Sequence, residues 1–391
     1  MKAGLPIYMS GILAILAGNA SAGPWSIEPR LGISAEYDSN PGLREIDPIS
    51  EDHIGALFDL PLRYDADDVA FSLRPTGRVS NSRGYSSLAA NYFHVDTSAQ
   101  VTDERGSASI QAELARDSSL YHAGGLVNGI GVRRDSAATS ADWMHWMTER
   151  SQIQLDVSWT RVRYDQPPNA TALVDYRYLS AGPTIAFSLS ERNTLKVLGS
   201  YGRYQSLDGI TESKTENLQL SFERQLDELW SLSTSAGYSR STNSQKYFFG
   251  PFFLGTLTSN QNSGVYAATL THQAERFSVS GGVSRALQPT GFAYLSRQDS
   301  ITLSATYVRT ERWDFGLSVG WQRARNPSLG GNDTIVRFLS SQLAANWHWT
   351  PQWIVSMRVT RFAQEYGPPT VSATSNGISV DINRQFLRTE L

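Results

Sequence analysis

From Trp25 to the C-terminus the dominant period of the sequence is two. The stretch Trp313-Asp-Phe-Gly-Leu-Ser-Val-Gly-Trp321 sets Trp, Phe, Leu, Val and Trp on one face and Asp, Gly, Ser and Gly on the other. Trp230–Tyr238 and Phe277–Val283 repeat that layout. Leu218, Leu220 and Phe222 alternate with polar neighbours, as do Ile153, Leu155, Val157 and Trp159. Strict alternation marks strands with one wet and one apolar face. No segment after the N-terminus offers 18 uninterrupted apolar residues, so a membrane crossing by helices is excluded.

The N-terminus reads Met1-Lys2, an apolar run around Ile12–Ala17, then Ala20-Ser21-Ala22. A charged start, an apolar centre and a small-x-small site predict a secretory signal peptide over 1–22, leaving 23–391 as the mature domain. Its connections alternate in length. Short polar turns fall at 65–68, 103–106, 148–151, 190–193, 227–229, 275–276, 310–312 and 350–352. Longer stretches rich in Gly, Pro, Asn and Ser fall near 38–50, 82–87, 117–135, 165–173, 205–214, 242–262, 288–296, 325–334 and 366–374. Eight turns and nine loops imply 18 strands, with 16 as the alternative count. An even number of strands, short turns on one side and long loops on the other is the pattern of a single antiparallel up-and-down outer-membrane barrel, an all-β fold.

Alternation alone does not separate a membrane barrel from a soluble sandwich, but composition does. Charged residues are 18% of the chain, below the ~25% usual in soluble domains. The tryptophans gather at the short-turn side: Trp25, Trp143, Trp230, Trp313 and Trp353 are the predicted aromatic girdle. Trp313 and Trp321 stand eight residues apart, about 20 Å at ~3.3 Å per residue and ~40° tilt, close to the apolar band of such barrels. In hydrocarbon only a closed sheet pairs every backbone group of its strands. The short turns then face the periplasm of a Gram-negative cell and the long loops face outward. The implied partners are outer-membrane lipid, lipopolysaccharide and the barrel-insertion machinery.

The first strand and its exit read Leu31-Gly-Ile-Ser-Ala-Glu-Tyr37, then Asp38-Ser-Asn-Pro41, and the chain closes on Gly377-Ile-Ser-Val-Asp-Ile-Asn-Arg-Gln-Phe386. With the recurring Glu-Arg turns between them, these segments resemble the β-barrel porin 2 family of bacterial outer-membrane proteins. The resemblance implies an outer-membrane pore, with exopolysaccharide export as the service of some members. It supplies no catalytic residues.

Several groups are candidates for function. Arg30, Arg63, Arg74, Arg78, Asp156, Arg177, Lys196, Glu223 and Arg358 are assigned to the lumen. They either form a positive strip that draws in anionic solutes or pair across the wall and keep the interior wet. Tyr247, Phe248, Phe249, Phe252 and Phe253 make loop 242–262 too apolar to stand in water, so it is expected to pack, to constrict the lumen or to stack on sugar. Arg161, Arg203, Arg240, Arg285, Arg323 and Arg361 fall on the lipid-facing register just beyond the apolar band and suggest a collar for lipopolysaccharide phosphate.

Other chemistries lack their signatures. The absence of Cys removes thiolate ligands and nucleophiles. The six His show no metal-ligand spacing, no cofactor motif appears, and a net charge of −3 disfavours nucleic-acid binding. The expected function is a channel for a polar solute or a polysaccharide, not an enzyme. A closed structural or adhesive barrel and an outer-membrane hydrolase are the competing readings.

Overall fold

The computed structural model describes residues 25–83, 91–118, 133–165, 173–249, 252–289, 291, 295–326, 334–367 and 371–390. The predicted signal peptide lies outside them. In chain order the strands are β1 (Trp25–Ile27), β2 (Arg30–Asp38), β3 (Glu51–Asp59), β4 (Leu62–Asp65), β5 (Val69–Arg83), β6 (Tyr92–Thr102), β7 (Gly106–Ser118), β8 (Arg133–Thr148), β9 (Ser151–Asp165) and β10 (Tyr176–Ser190). They continue with β11 (Asn193–Ser206), β12 (Thr211–Gln225), β13 (Trp230–Phe249), β14 (Phe252–Gln273), β15 (Phe277–Pro289), β16 (Leu295–Thr310), β17 (Trp313–Asn326), β18 (Thr334–Thr350), β19 (Trp353–Tyr366), β20 (Val371–Gln385) and β21 (Thr389–Glu390).

These segments form one sheet that closes on itself where β2 pairs antiparallel with β20. The result is an 18-strand up-and-down barrel, because three staves are each broken in two. β1 and β2 share one register against β4 and β3, from Trp25 opposite Tyr64 to Arg30 opposite Asp59. Pro29 and Pro61 sit at the breaks, where a residue without an N–H cannot continue the ladder. The last stave slips by one residue between β20 and β21.

Leu295, at the start of β16, is buried against Val162, Tyr176 and Tyr204 on β9–β11. Those strands lie far apart around the ring and meet only across the lumen, so the register of Val162, Tyr176 and Tyr204 faces inward, while Leu295, opposite Pro289, begins β16 on the other register and reaches them from the rim. Directly opposite residues share a face, and the ladders carry that assignment around the barrel. The outer face then holds Ile33, Ile54, Phe93, Leu218, Ile301, Leu343 and Val359, all exposed. The most buried polar groups, among them Ser213, Ser239, Ser241 and Asn243, lie on the inner face. Leaving one large apolar side chain in water forgoes about 1.5–3 kcal/mol. A surface with dozens of them is stable only in hydrocarbon, which places the barrel in the outer membrane.

Trp25, Trp143, Trp230, Trp313 and Trp353 all take the outward register at the short-turn rim. Trp25 packs on Tyr64 (5.1 Å) and Phe71 (5.9 Å), Trp230 on His272 (4.5 Å) and Trp313 on Trp347 (6.0 Å). At the other edge of the band Trp159, Tyr201, Tyr238, Tyr266 and Trp321 face outward.

One long loop is not a loop. β13 and β14 pair through 242–262 as a hairpin that outruns both neighbours. β12 stops at Thr211 opposite Gln245, and β15 reaches only Arg285 opposite Tyr266.

Candidate functional site

The lumen narrows at its extracellular mouth, where chain folds inward from two sides. After β2 the segment Ser39–Ser50 turns in, and Leu43 is buried against Phe338 and Ala373 beside Phe362. Asn40 locks this turn. Its Nδ2 donates to the carbonyls of Arg44 (2.9 Å) and Thr374 (3.1 Å), and its Oδ1 accepts the N–H of Arg44 (3.0 Å). The backbone N–H of Asn40 reaches Asp38 Oδ1 (2.9 Å) and Ser375 Oγ (3.2 Å). Ser39 and Asn376 exchange bonds of 3.0 and 2.9 Å. The Asp38-Ser39-Asn40 segment is thus a clasp that joins the first and last strands of the barrel at the seam.

On another side of the rim, Gly291 and Leu295 reach over the mouth from between β15 and β16. Gly291 O accepts the Val174 N–H (2.7 Å), and Leu295 closes over Val162, Tyr176 and Tyr204 with Tyr164 and Tyr178 beside them. The described aromatic residues of the run 247–253 are not among those buried at the mouth. The run forms the tip of the β13–β14 hairpin, with Tyr247, Phe248, Phe252 and Phe253 exposed and Phe248 packed on Phe253 (5.7 Å). Phe249 lies in the same strand. The expectation of a constriction loop is corrected: above the membrane both faces of this hairpin are wet, so its ladder continues where alternation of hydropathy stops.

Eight of the nine predicted lumen residues face inward: Arg30, Arg63, Arg74, Arg78, Asp156, Lys196, Glu223 and Arg358. Arg177 does not. It stands directly opposite Arg161 on the outer face and donates to Gln205 (2.5 and 3.1 Å). The ladder leaves no alternative, since opposite residues cannot take different faces.

Half of the positive strip is neutralised. Arg74 grips Asp59 through two bonds of 2.8 Å, Arg78 reaches Glu36 at 2.5 Å, and Lys196 reaches Glu223 at 2.6 Å. Arg134 holds Asp117 at 3.1 Å, with His94 3.5 Å from the same carboxylate. His348 lies 2.9 Å from Asp314, and His145 faces outward on Trp143.

Besides inward acids on other staves, among them Asp38, Asp65 and Asp381, four inward carboxylates show no ion pair among the described residues: Asp96, Glu113, Asp142 and Asp156. They lie on the consecutive strands β6–β9, each a similar distance above its periplasmic turn. Asp96 opposes Glu113 and Asp142 opposes Asp156. Ser109 donates to Asp142 (2.5 Å) and Gln154 to Asp156 (2.7 Å). Arg30, Arg63 and Arg358, which show no salt bridge among the described residues, occupy a different wall, on β2, β4 and β19, with Arg358 in electrostatic reach of Asp381. A hydroxyl- and amide-lined recess of about 290 Å³ adjoins the acidic wall, with Ser140, Ser158, Ser180, Ser200, Asn217 and Gln219 around it. A second, of about 490 Å³, adjoins Arg30, Asp59, Arg74 and Asp314. Asp96, Glu113 and Asp142 were missed in the sequence. Carrying the parity of each strand from its neighbour would have found them.

The six collar arginines all take the outward register. They are not equivalent: Arg203 is tied to Glu212 (2.9 Å) and Arg285 to Asp299 (2.5 Å), and Arg240 faces Glu216 across the ladder.

Among solved structures, the chain is similar to Pseudomonas aeruginosa OpdQ (12% identity, TM-score 0.47, covering 93% of this chain and 98% of that one). It is also similar to P. aeruginosa OpdK with vanillate (11%, 0.48, 93% and 99%) and P. aeruginosa OpdL (15%, 0.45, 94% and 99%). No family model matches the chain, and no curated protein matches it. The likeness of its first and last strands to the β-barrel porin 2 family therefore stands as a resemblance.

Proposed function

We propose that the protein is a porin-like channel that passes small polar solutes across the outer membrane, with a preference for cations. The observation that carries this reading is the inverted distribution of polarity. A closed ring of 18 strands turns its apolar side chains outward and its Ser, Thr, Gln and charged groups inward. Eighteen strands spaced ~4.8 Å apart and tilted ~40° give a ring about 35 Å across between backbones. That is far more than inward side chains fill. The lumen is then a water path, narrowed rather than filled by the two inward-folded segments.

The sign of the selectivity follows from the ion pairs. With Arg74, Arg78, Arg134 and Lys196 each held by a carboxylate, the inward acids without a cation partner outnumber the free bases. A cleft lined by one sign of charge concentrates the opposite ion. The acidic arc on β6–β9 and the arginines on β2, β4 and β19 also set a field across the passage, which suits solutes carrying both charges. Polymer passage draws no support from the aromatic run, which sits on the hairpin tip.

The experiment is planar-bilayer recording of the purified protein under a salt gradient. A steady conductance whose reversal potential reports cations moving faster than anions supports the reading. An anion preference overturns the selectivity, and the absence of any conductance overturns the channel.

A further inference from the structure

The segment Ser39–Ser50 is bent into the mouth against its own backbone preferences. Leu43 has φ 46° and Asp47 φ 53°, the only non-glycine residues in the left-handed region among those described. That region strains any L-residue, and a bulky side chain such as leucine is a genuine outlier there. Asn40 and Pro41 open a four-residue turn, closed by the Leu43 N–H on Asn40 O (2.9 Å). Gly42 is not left-handed, so the turn is of the common kind whose fourth residue is often glycine. Leu43 occupies that fourth position instead.

The bend at Leu43 is held from both sides. Asn40 grips the N–H and the carbonyl of Arg44 (3.0 and 2.9 Å), one residue beyond, and the Leu43 side chain is buried against Phe338 and Ala373. Asp47 lacks such support. It precedes Pro48, and the residue before a proline is driven to extended backbone. Its side chain is exposed, and among the described residues no hydrogen bond or ion pair holds it. Ile46 and Ile49 beside it are exposed as well, so burial does not offset this bend. The bend at Asp47 is imposed by the segment's two anchors, Leu43 in its pocket and Glu51 at the start of β3.

We propose that Ser39–Ser50 is a strained gate over the extracellular mouth, with a second position in which Leu43 leaves Phe338 and Ala373 and both left-handed residues relax together. Strained backbone persists only where its surroundings over-determine it. Here those surroundings are one buried side chain and one amide, and both act on the same end of the segment. Unseating that end releases the whole segment, so the mouth has two discrete states rather than a graded width.

The test uses the full-length protein in planar bilayers, where wild type is expected to step between two conductance levels. The chain has no native cysteine, so Leu43→Cys/Ala373→Cys places a reducible bridge between the segment and β20. The oxidised pair is expected to stay at the lower level and to step again once reduced. Asp47→Val puts a β-branched residue at the unsupported bend. It is expected to raise the ratio of time at the higher level to time at the lower by about fivefold or more. Glu45→Val, two residues away and outside the left-handed region, is expected to leave the ratio unchanged. Stepping that persists in the oxidised pair, or an equal ratio in Asp47→Val and wild type, would overturn the gate. The conductance arm rests on the channel proposed above, whereas trypsin nicking at Arg44 does not. No conductance, with nicking still faster in Asp47→Val and suppressed in the oxidised pair, would overturn the channel and keep the moving segment. Unchanged nicking in both variants would overturn the movement itself.

Discussion

Replacing Asn40 by alanine separates the clasp at the barrel seam from the barrel itself. Asn40 is buried, and its side chain makes three hydrogen bonds to backbone groups, two to Arg44 and one to Thr374. A hydrogen bond is worth about 1 kcal/mol net, and buried partners left unmade add to the loss. Removing the three should cost about 2–4 kcal/mol of docking energy for the segment after β2. Because β2 still pairs with both β3 and β20, the cost falls on local opening rather than on global unfolding. Arg44 lies inside the docked turn and provides the assay, since trypsin cuts after arginine. If opening precedes cleavage, nicking at Arg44 should accelerate by roughly 30- to 1,000-fold in Asn40→Ala, with barrel melting unchanged. Asn40→Asp keeps the acceptor for Arg44 N–H and loses both donors, so it should fall between. If wild type and Asn40→Ala are nicked at the same rate, the turn is not held by Asn40 and its inward placement needs another cause.

Leu295→Ala empties a fully buried position under the second inward segment. It should cost about 2–5 kcal/mol of packing there and raise single-channel conductance or its fluctuation, whereas unchanged traces would show that this segment does not narrow the passage. Asp142→Asn/Asp156→Asn removes half of the acidic arc and should move the reversal potential toward zero, read in the same salt gradient as wild type. Deleting 246–254, the hairpin tip, should leave conductance as it is, because those rings stand outside the lumen; a large increase would reinstate them as a constriction.

The strands were legible because alternation is local: each carries its own inside and outside in consecutive residues. The number of staves followed from turn chemistry, which is also local. What lay beyond reach depends on pairing across distance. Asn40 meets Ser375 335 residues away, so the role of the Asp-Ser-Asn segment was invisible although the segment itself stood out. Arg177 faces outward because its ladder partner Arg161 does, a pairing across a loop that spacing within one strand does not show. The run 242–262 reads as loop because polar residues and Gly dominate most of it, yet a hairpin clear of the membrane needs no apolar face to stay paired. The uneven collar was hidden for a related reason. Whether an arginine is answered by Glu212 or Asp299, or left facing another arginine, is set by register between strands and not by spacing within one.

The central claim is a lipid-embedded ring around a water-filled passage, and the native chain, having no cysteine, allows it to be read residue by residue. Single cysteines placed in turn along β16 from 300 to 306 should alternate. Positions 300, 302, 304 and 306 should react with a membrane-impermeant maleimide through the lumen, while 301, 303 and 305 should react only with a lipid-soluble fluorescent maleimide, whose emission a lipid-borne nitroxide then quenches. Inward positions that stay unlabelled would show a dry, closed interior. Equal labelling on both faces would show that this strand is not in the wall of a membrane barrel at all.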